Sequence, residues 1–240
     1  MNKLIIAEFC KNKRKLIHKL LVAAPVCILL LTVVLLNGQH VQSAYFNWWY
    51  MLGLPFVLGY IGASMISSEK RYHFHGLLSV IETPQTLWYG KIAVGMMYLE
   101  VLSLVVWLLG QAAGLWYGEG VSARNSICAI VVLFFVSLWQ LPCTMWLTLK
   151  TNLVAAVVGN LMWNVLMAVF FADTGVWWIP GAIGARVMVP ILRILPNGLT
   201  AEPGNPLGAS NVIWIGIGIS LLIFVVMSLL SARSFTKAEV

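Results

Sequence analysis

Six apolar runs, each long enough to cross a bilayer and almost free of charge, constrain this 240-residue chain more than any other feature. A helix needs about 20 apolar residues to cross the hydrocarbon layer. Residues 20–36, 48–67, 92–117, 125–149, 153–172 and 211–232 meet that requirement. Backbone in hydrocarbon has no water to bond to, so runs of this length fold as helices. With 60% of positions hydrophobic and only 10% charged, the chain lacks the polar surface of a soluble domain. The expected fold is an all-α membrane protein, one domain over residues 1–240 with six transmembrane helices. The first run follows a basic stretch, but that stretch is too long and the apolar core too extended for a signal peptide.

Six crossings put both termini on one side, and the distribution of cations says which. The segments 1–19, 68–91, 150–152 and 233–240 carry twelve of the fifteen Lys and Arg residues, against three in 37–47, 118–124 and 173–210. The positive-inside rule then places both termini in the cytoplasm. These cations sit beside apolar runs and form no continuous basic face, so nucleic acid is not an expected partner. Membrane lipid is.

Residues 1–19 alternate apolar and cationic side chains at helical spacing, which predicts an N-terminal amphipathic interfacial helix, either an anchor or a contact to a partner subunit. The connection 68–91 holds Phe74, Leu77, Leu78 and Ile81 at i, i+3, i+4 and i+7, one apolar stripe that Thr83-Pro84 would end. Such a helix either docks into a groove on a soluble partner or rests on the bilayer surface. On the other side, 173–210 contains five prolines, and 182–195 is expected to form short helices broken at Pro190 and dipping into the outer leaflet. Trp177 and Trp178 belong at headgroup level. Arg186 and Arg193, two turns apart, are expected on one side of that segment, as a gate or substrate contact or as interfacial anchors.

Glu100 is the single ionisable residue well inside a span, about 13.5 Å along the helix from Lys91. A charge there is costly, so it should face the bundle or water, pair at a subunit interface, or hydrogen-bond to a neighbouring helix. Asn160 and Asn164 read as glue between helices rather than a substrate site. Small residues at Gly59, Ala63 and Ser67, and at Gly216 and Ser220, favour close packing within the chain.

Several activities lack their residues. The sequence has no G-x-x-x-x-G-K-[ST] for a P-loop and no H-E-x-x-H. Cys10, Cys27, Cys128 and Cys143 are scattered, and His73 with His75 has no third ligand nearby, so no metal site is expected. Work done by this chain needs an external energy source.

The opening Glu8-x-x-Lys11-x-Lys13-Arg14 resembles the E-x-x-K-x-[KR]-[KR] start of ABC-2 type exporter permeases, in particular those of bacterial lantibiotic-immunity transporters. Glu69, Gly76-Leu77-Leu78-Ser79, Pro84 and Leu87-Trp88-Tyr89-Gly90-Lys91 are similar to the stretch after that family's second span, although Val80-Ile81-Glu82-Thr83 lengthens the gap before Pro84 and Gln85-Thr86 replaces a common basic residue. The resemblance implies a non-catalytic subunit of the bacterial cell membrane. Its 68–91 loop would act as a cytoplasmic coupling helix, with Glu69, Phe74, Leu77, Leu78, Ile81 and Pro84 as contacts. It implies two copies of a cytosolic ABC ATPase that bind ATP and Mg, a second permease either identical or homologous, and expulsion of an amphipathic antimicrobial peptide. A general exporter of drugs, lipids or polymers, or a non-transporting assembly or sensor subunit, are the alternatives.

Overall fold

The computed structural model describes residues 8–9, 11–12, 16–36, 38, 40–71, 84–118 and 120–238. They are helical almost throughout, with no strand among them and one isolated bridge, Ile194 to Thr200. The helices are α1 (Ile17–Leu36), α2 (Val41–Trp48), α3 (Leu54–Arg71), α4 (Pro84–Tyr117), α5 (Ala123–Ser137), α6 (Gln140–Lys150), α7 (Leu153–Phe171), α8 (Ala182–Leu192) and α9 (Asn211–Ala238). Six are long and apolar enough to span a membrane once α2 with α3, and α5 with α6, are taken as continuous.

Proline explains both composite spans. Pro55 has no N–H, and its ring would press on the Met51 carbonyl in a regular helix. A widened π turn over Trp49–Gly53 precedes it and joins α2 to α3. Gly53 is required there, because a Cβ would stand 2.5 Å from the Trp49 ring. Pro142 likewise cannot serve the Leu138 carbonyl, which instead accepts from Leu141 N–H at 3.1 Å in a tightened turn between α5 and α6.

The second span therefore begins at Val41, seven residues before the expected boundary. Residues 41–47 contain Gln42 and Asn47, whose polarity masks the span, yet both are buried. Gln42 Nε2 donates to the Gly110 carbonyl at 3.1 Å while its Oε1 accepts from Gly120 and Val121 N–H at 2.8 Å each. A buried polar group with all its partners made carries little penalty. Pro84 opens α4, a position where its fixed φ and missing N–H cost nothing, and the helix it was expected to end lies outside the described residues.

In the second span's apolar window 67% of residues are buried, against 17% in α1 and 22% in α9, so α3 is the centre of the bundle. Small residues let α3 approach two neighbours. Gly59 and Ala63 meet Val157 and Ala156 of α7, and Gly62 lies against Thr144 and Leu141 of α6. Gly216 in α9 makes room for Ile183 and Val187 of α8. All of these seams lie within the chain, as the packing reading of the stripes requires.

The 173–210 segment departs from expectation. α8 is one helix containing Pro190, and nine of its eleven residues are buried against α5, α7 and α9. It is a packed member of the bundle rather than a pair of short helices broken at Pro190. Its Arg186 side chain points inward, while Arg193 caps the C-terminus in the left-handed region (φ 55°) and is exposed. The change of backbone at the cap puts the two cations on different sides.

Candidate functional site

The end of the bundle where α3 finishes and α4 begins carries the strongest concentration of buried charge. Lys91, two turns into α4, is fully buried. Leu87 and Trp88 on the preceding turn anchor α4 in a cluster with Ile66, Met145 and Phe235, and Trp88 Nε1 donates to Ser231 Oγ of α9 at 2.8 Å. That anchoring carries the ammonium group inward. Lys91 Nζ donates to Glu69 Oε1 at 2.8 Å and to Glu8 Oε2 at 2.9 Å. Lys11 Nζ pairs with the same Glu69 oxygen.

Among the described residues, two carboxylates and two ammonium groups thus balance in one cluster. Glu8 and Glu69 side chains are only 5% and 4% exposed, which removes most of the screening that makes surface ion pairs weak. Phe9 stacks on Tyr98 at 5.7 Å and His18 meets the same ring edge-on at 5.3 Å, closing the cluster on its inner side. Beside it, Lys70 Nζ donates to the carbonyls of Thr151 (2.7 Å), Leu149 (3.0 Å) and Thr148, satisfying the orphan end of α6.

The geometry ties three parts of the chain together. Glu69 ends one arm of the 72–83 segment, Lys91 begins the other, and Glu8 brings the N-terminal segment onto both. Phe74, Leu77, Leu78 and Ile81 lie outside the described residues. Pro84 is half-buried at the start of α4. Glu69 faces inward to Lys91 and Lys11, so its carboxylate is engaged within the chain. Glu8, Lys11, Glu69 and Lys91 all belong to the motifs that carry the family resemblance, but only Glu69 was expected at a site, since separations of 22 and 83 residues give no local sign that they meet.

Deeper in the bundle, Asn160 and Asn164 are buried beside Gln140. Asn160 Nδ2 donates to the Pro55 carbonyl at 2.7 Å and to Gln140 Oε1 at 2.9 Å, and Asn164 Nδ2 donates to the Asn160 carbonyl at 2.8 Å. This knot joins α3, α6 and α7. Asn160→Leu should cost about 1–3 kcal/mol by stripping two buried acceptors at once. Asn164→Leu, which mainly loses a bond within its own helix, should cost less. Thermal unfolding in detergent followed by tryptophan fluorescence checks the order, and equal midpoints for the two variants would contradict it.

Glu100 lies halfway along α4 with its side chain exposed on the outside of the bundle, not directed into it. Glu100, Ser103, Leu104 and Trp107 form one face of α4, at i, i+3, i+4 and i+7. Ile127, Ile130, Val131 and Phe134 repeat that spacing on α5. Between the two stripes a cleft of about 440 Å³ opens sideways.

At the far end, Arg186 is buried. Its Nη1 donates to the Leu207 carbonyl, and its guanidinium lies 5.9 Å from the half-buried Trp177 ring. Burial lowers its pKa from the ordinary arginine value. The arrangement staples the 202–208 turn onto α8. Trp178 and Arg193 are exposed, and neither is brought together with Arg186 or Trp177 in one site.

A protein-family model described as "ABC-2 family transporter protein" matches residues 4–175, a stretch that includes the ion cluster, the cleft and the Asn160 knot. No curated protein and no solved structure matches the chain.

Proposed function

Because the chain belongs to the ABC-2 family of transporter proteins, we propose that it is the permease subunit of an exporter that expels an amphipathic antimicrobial peptide, of the lantibiotic kind, from the outer face of a bacterial cell membrane. The coarser reading is direct: this is a multi-span permease of an ABC transporter, and such permeases work with an ABC ATPase. In the finer reading, two copies of that ATPase bind ATP and Mg in the cytosol. Two permease chains, identical or homologous, form the pathway, and both termini of this chain are cytoplasmic.

The single observation that carries the coupling role is the Lys91 cluster. A push delivered to residues 72–83 meets arms that are joined to each other through Glu69 and Lys91 and to the N-terminal segment through Glu8. Such a joint resists independent motion of α3 and α4, so displacement of the segment moves both helices together. The 72–83 segment supplies the apolar stripe for docking and the cluster supplies stiffness.

Replacing Leu77 and Leu78 together with Glu should abolish co-purification of the cognate ABC ATPase while leaving the permease in the membrane, since charges on the stripe oppose burial in an apolar groove. Unaltered co-purification would remove the coupling assignment. A broader exporter of drugs or lipids is the second reading, favoured by the small-molecule size of the sideways cleft. Resistance assays across compound classes separate the two, because protection against lantibiotics alone supports the peptide.

A further inference from the structure

Glu100 stands where an acidic side chain is hardest to keep. It is halfway along the 34-residue α4, on the exterior of the bundle, and no ion pair or hydrogen bond joins its carboxylate to another described residue. A carboxylate in hydrocarbon is expensive and usually marks a pathway or a partner. Around it the surface is apolar and concave. Trp107 Nε1 and Gln111 Nε2 both donate to Ser126 Oγ, at 3.2 and 2.9 Å, and stitch α4 to α5 at the outer end. The cleft lies alongside that stitch, with Ile130 and Phe134 on its far wall. Its volume, about 440 Å³, falls within the ~300–1,000 Å³ of small-molecule sites.

We infer that this cleft binds an amphipathic cation dissolved in the lipid, its charged group on Glu100 and its apolar body against Ile130, Phe134 and the ring of Trp107. Charge decides the occupant. Among the described residues, every Lys, Arg and His lies in a loop or within about two turns of a helix end, whereas Glu100 is midway along α4, and the cations Lys91 and Arg186 are buried. The described residues of a second copy therefore offer no exposed cation midway along a spanning helix. A lipid-borne cation supplies one, and an aromatic face near the carboxylate adds to its binding. The binding step does not depend on the proposed export of a peptide; it rests on that reading only for what becomes of the ligand afterwards.

The test uses the full chain in lipid nanodiscs with no ATPase present. Radiolabelled tetraphenylphosphonium should bind saturably above empty nanodiscs, and tetraphenylborate, of the same shape and opposite charge, should not. Glu100→Gln should weaken tetraphenylphosphonium binding about tenfold or more, in line with loss of a charged partner. Ile130→Trp, which keeps the carboxylate and fills the cleft, should weaken it as well, and serves if the Gln variant fails to fold. Equal affinity in wild type and Glu100→Gln, or equal binding of both ions, would overturn the inference. So would a Ser103→Cys variant that cross-links efficiently to a second copy, because the cleft would then be an interface between chains. If binding fails while ATPase co-purification persists, only this inference falls, and the reverse result leaves it standing.

Discussion

Lys91→Met should destabilise the folded protein by about 3–5 kcal/mol, the largest single-residue effect expected in this chain. The ammonium group is fully buried and serves two carboxylates that are themselves almost completely buried. Removing it leaves Glu8 and Glu69, among the described residues, with only Lys11, itself partly exposed at 38%, to offset two charges. Lys91→Arg should recover part of the loss, because the charge is kept but the planar fork needs space that a packed site lacks. The decisive comparison is Lys91→Met combined with Glu8→Gln and Glu69→Gln. Neutralising all three removes the uncompensated charge, so the triple variant should regain much of the stability lost by the single one. A thermal midpoint for Lys91→Met equal to wild type, measured in nanodiscs, would show that the cluster is not a structural joint. If the triple variant folds yet no longer links ATP hydrolysis to transport, stiffness at the joint is its functional contribution.

Gly62→Val should be nearly as damaging, for a steric reason. A Cβ at Gly62 would stand 2.1 Å from Thr144 Oγ1 and 3.1 Å from the Leu141 carbonyl oxygen. Thr144 cannot easily turn away, since its hydroxyl donates to the Gln140 and Leu141 carbonyls at 2.8 and 3.1 Å. The clash therefore forces α3 and α6 apart at their closest approach, with a cost of about 3 kcal/mol or more, at or above the upper end for overpacking. Gly59→Ala, where the nearest atoms lie at 3.4 Å, should be far milder. Gly218→Ala should be neutral or stabilising by about 0.5–1 kcal/mol, because nothing lies within 4 Å of its added methyl and alanine prefers the helix. Surface expression and thermal midpoint of the three variants give the test; a Gly62→Val protein as stable as the Gly218→Ala one would contradict the packing described.

How much of this was legible beforehand depends on whether a residue's role is set by its own run or by a distant partner. Six spans and their order followed from the apolar runs, and the Gly59–Ala63 seam from spacing alone. The same hydropathy reading put 41–47 outside the membrane, because Gln42 and Asn47 look like loop residues until their buried partners are known. It counted Lys91 among loop cations for a similar reason. Arg186 and Arg193, two turns apart, were expected on one side of the segment, and a left-handed cap at Arg193 that periodicity does not reveal turns them apart.

Composition and run length thus determined on their own that the chain is helical, how many times it can span a membrane, and that most of its cations gather at one end, since each of those follows from transfer of local segments out of water. Only the tertiary structure decided which polar groups are satisfied. Glu8, Lys11, Glu69 and Lys91 come from three separate stretches and neutralise one another, whereas Glu100 is left facing outward with no partner among the described residues. Pairing energies depend on distance in space, and distance in space between such residues is fixed by how helices pack, not by the order in which they are written.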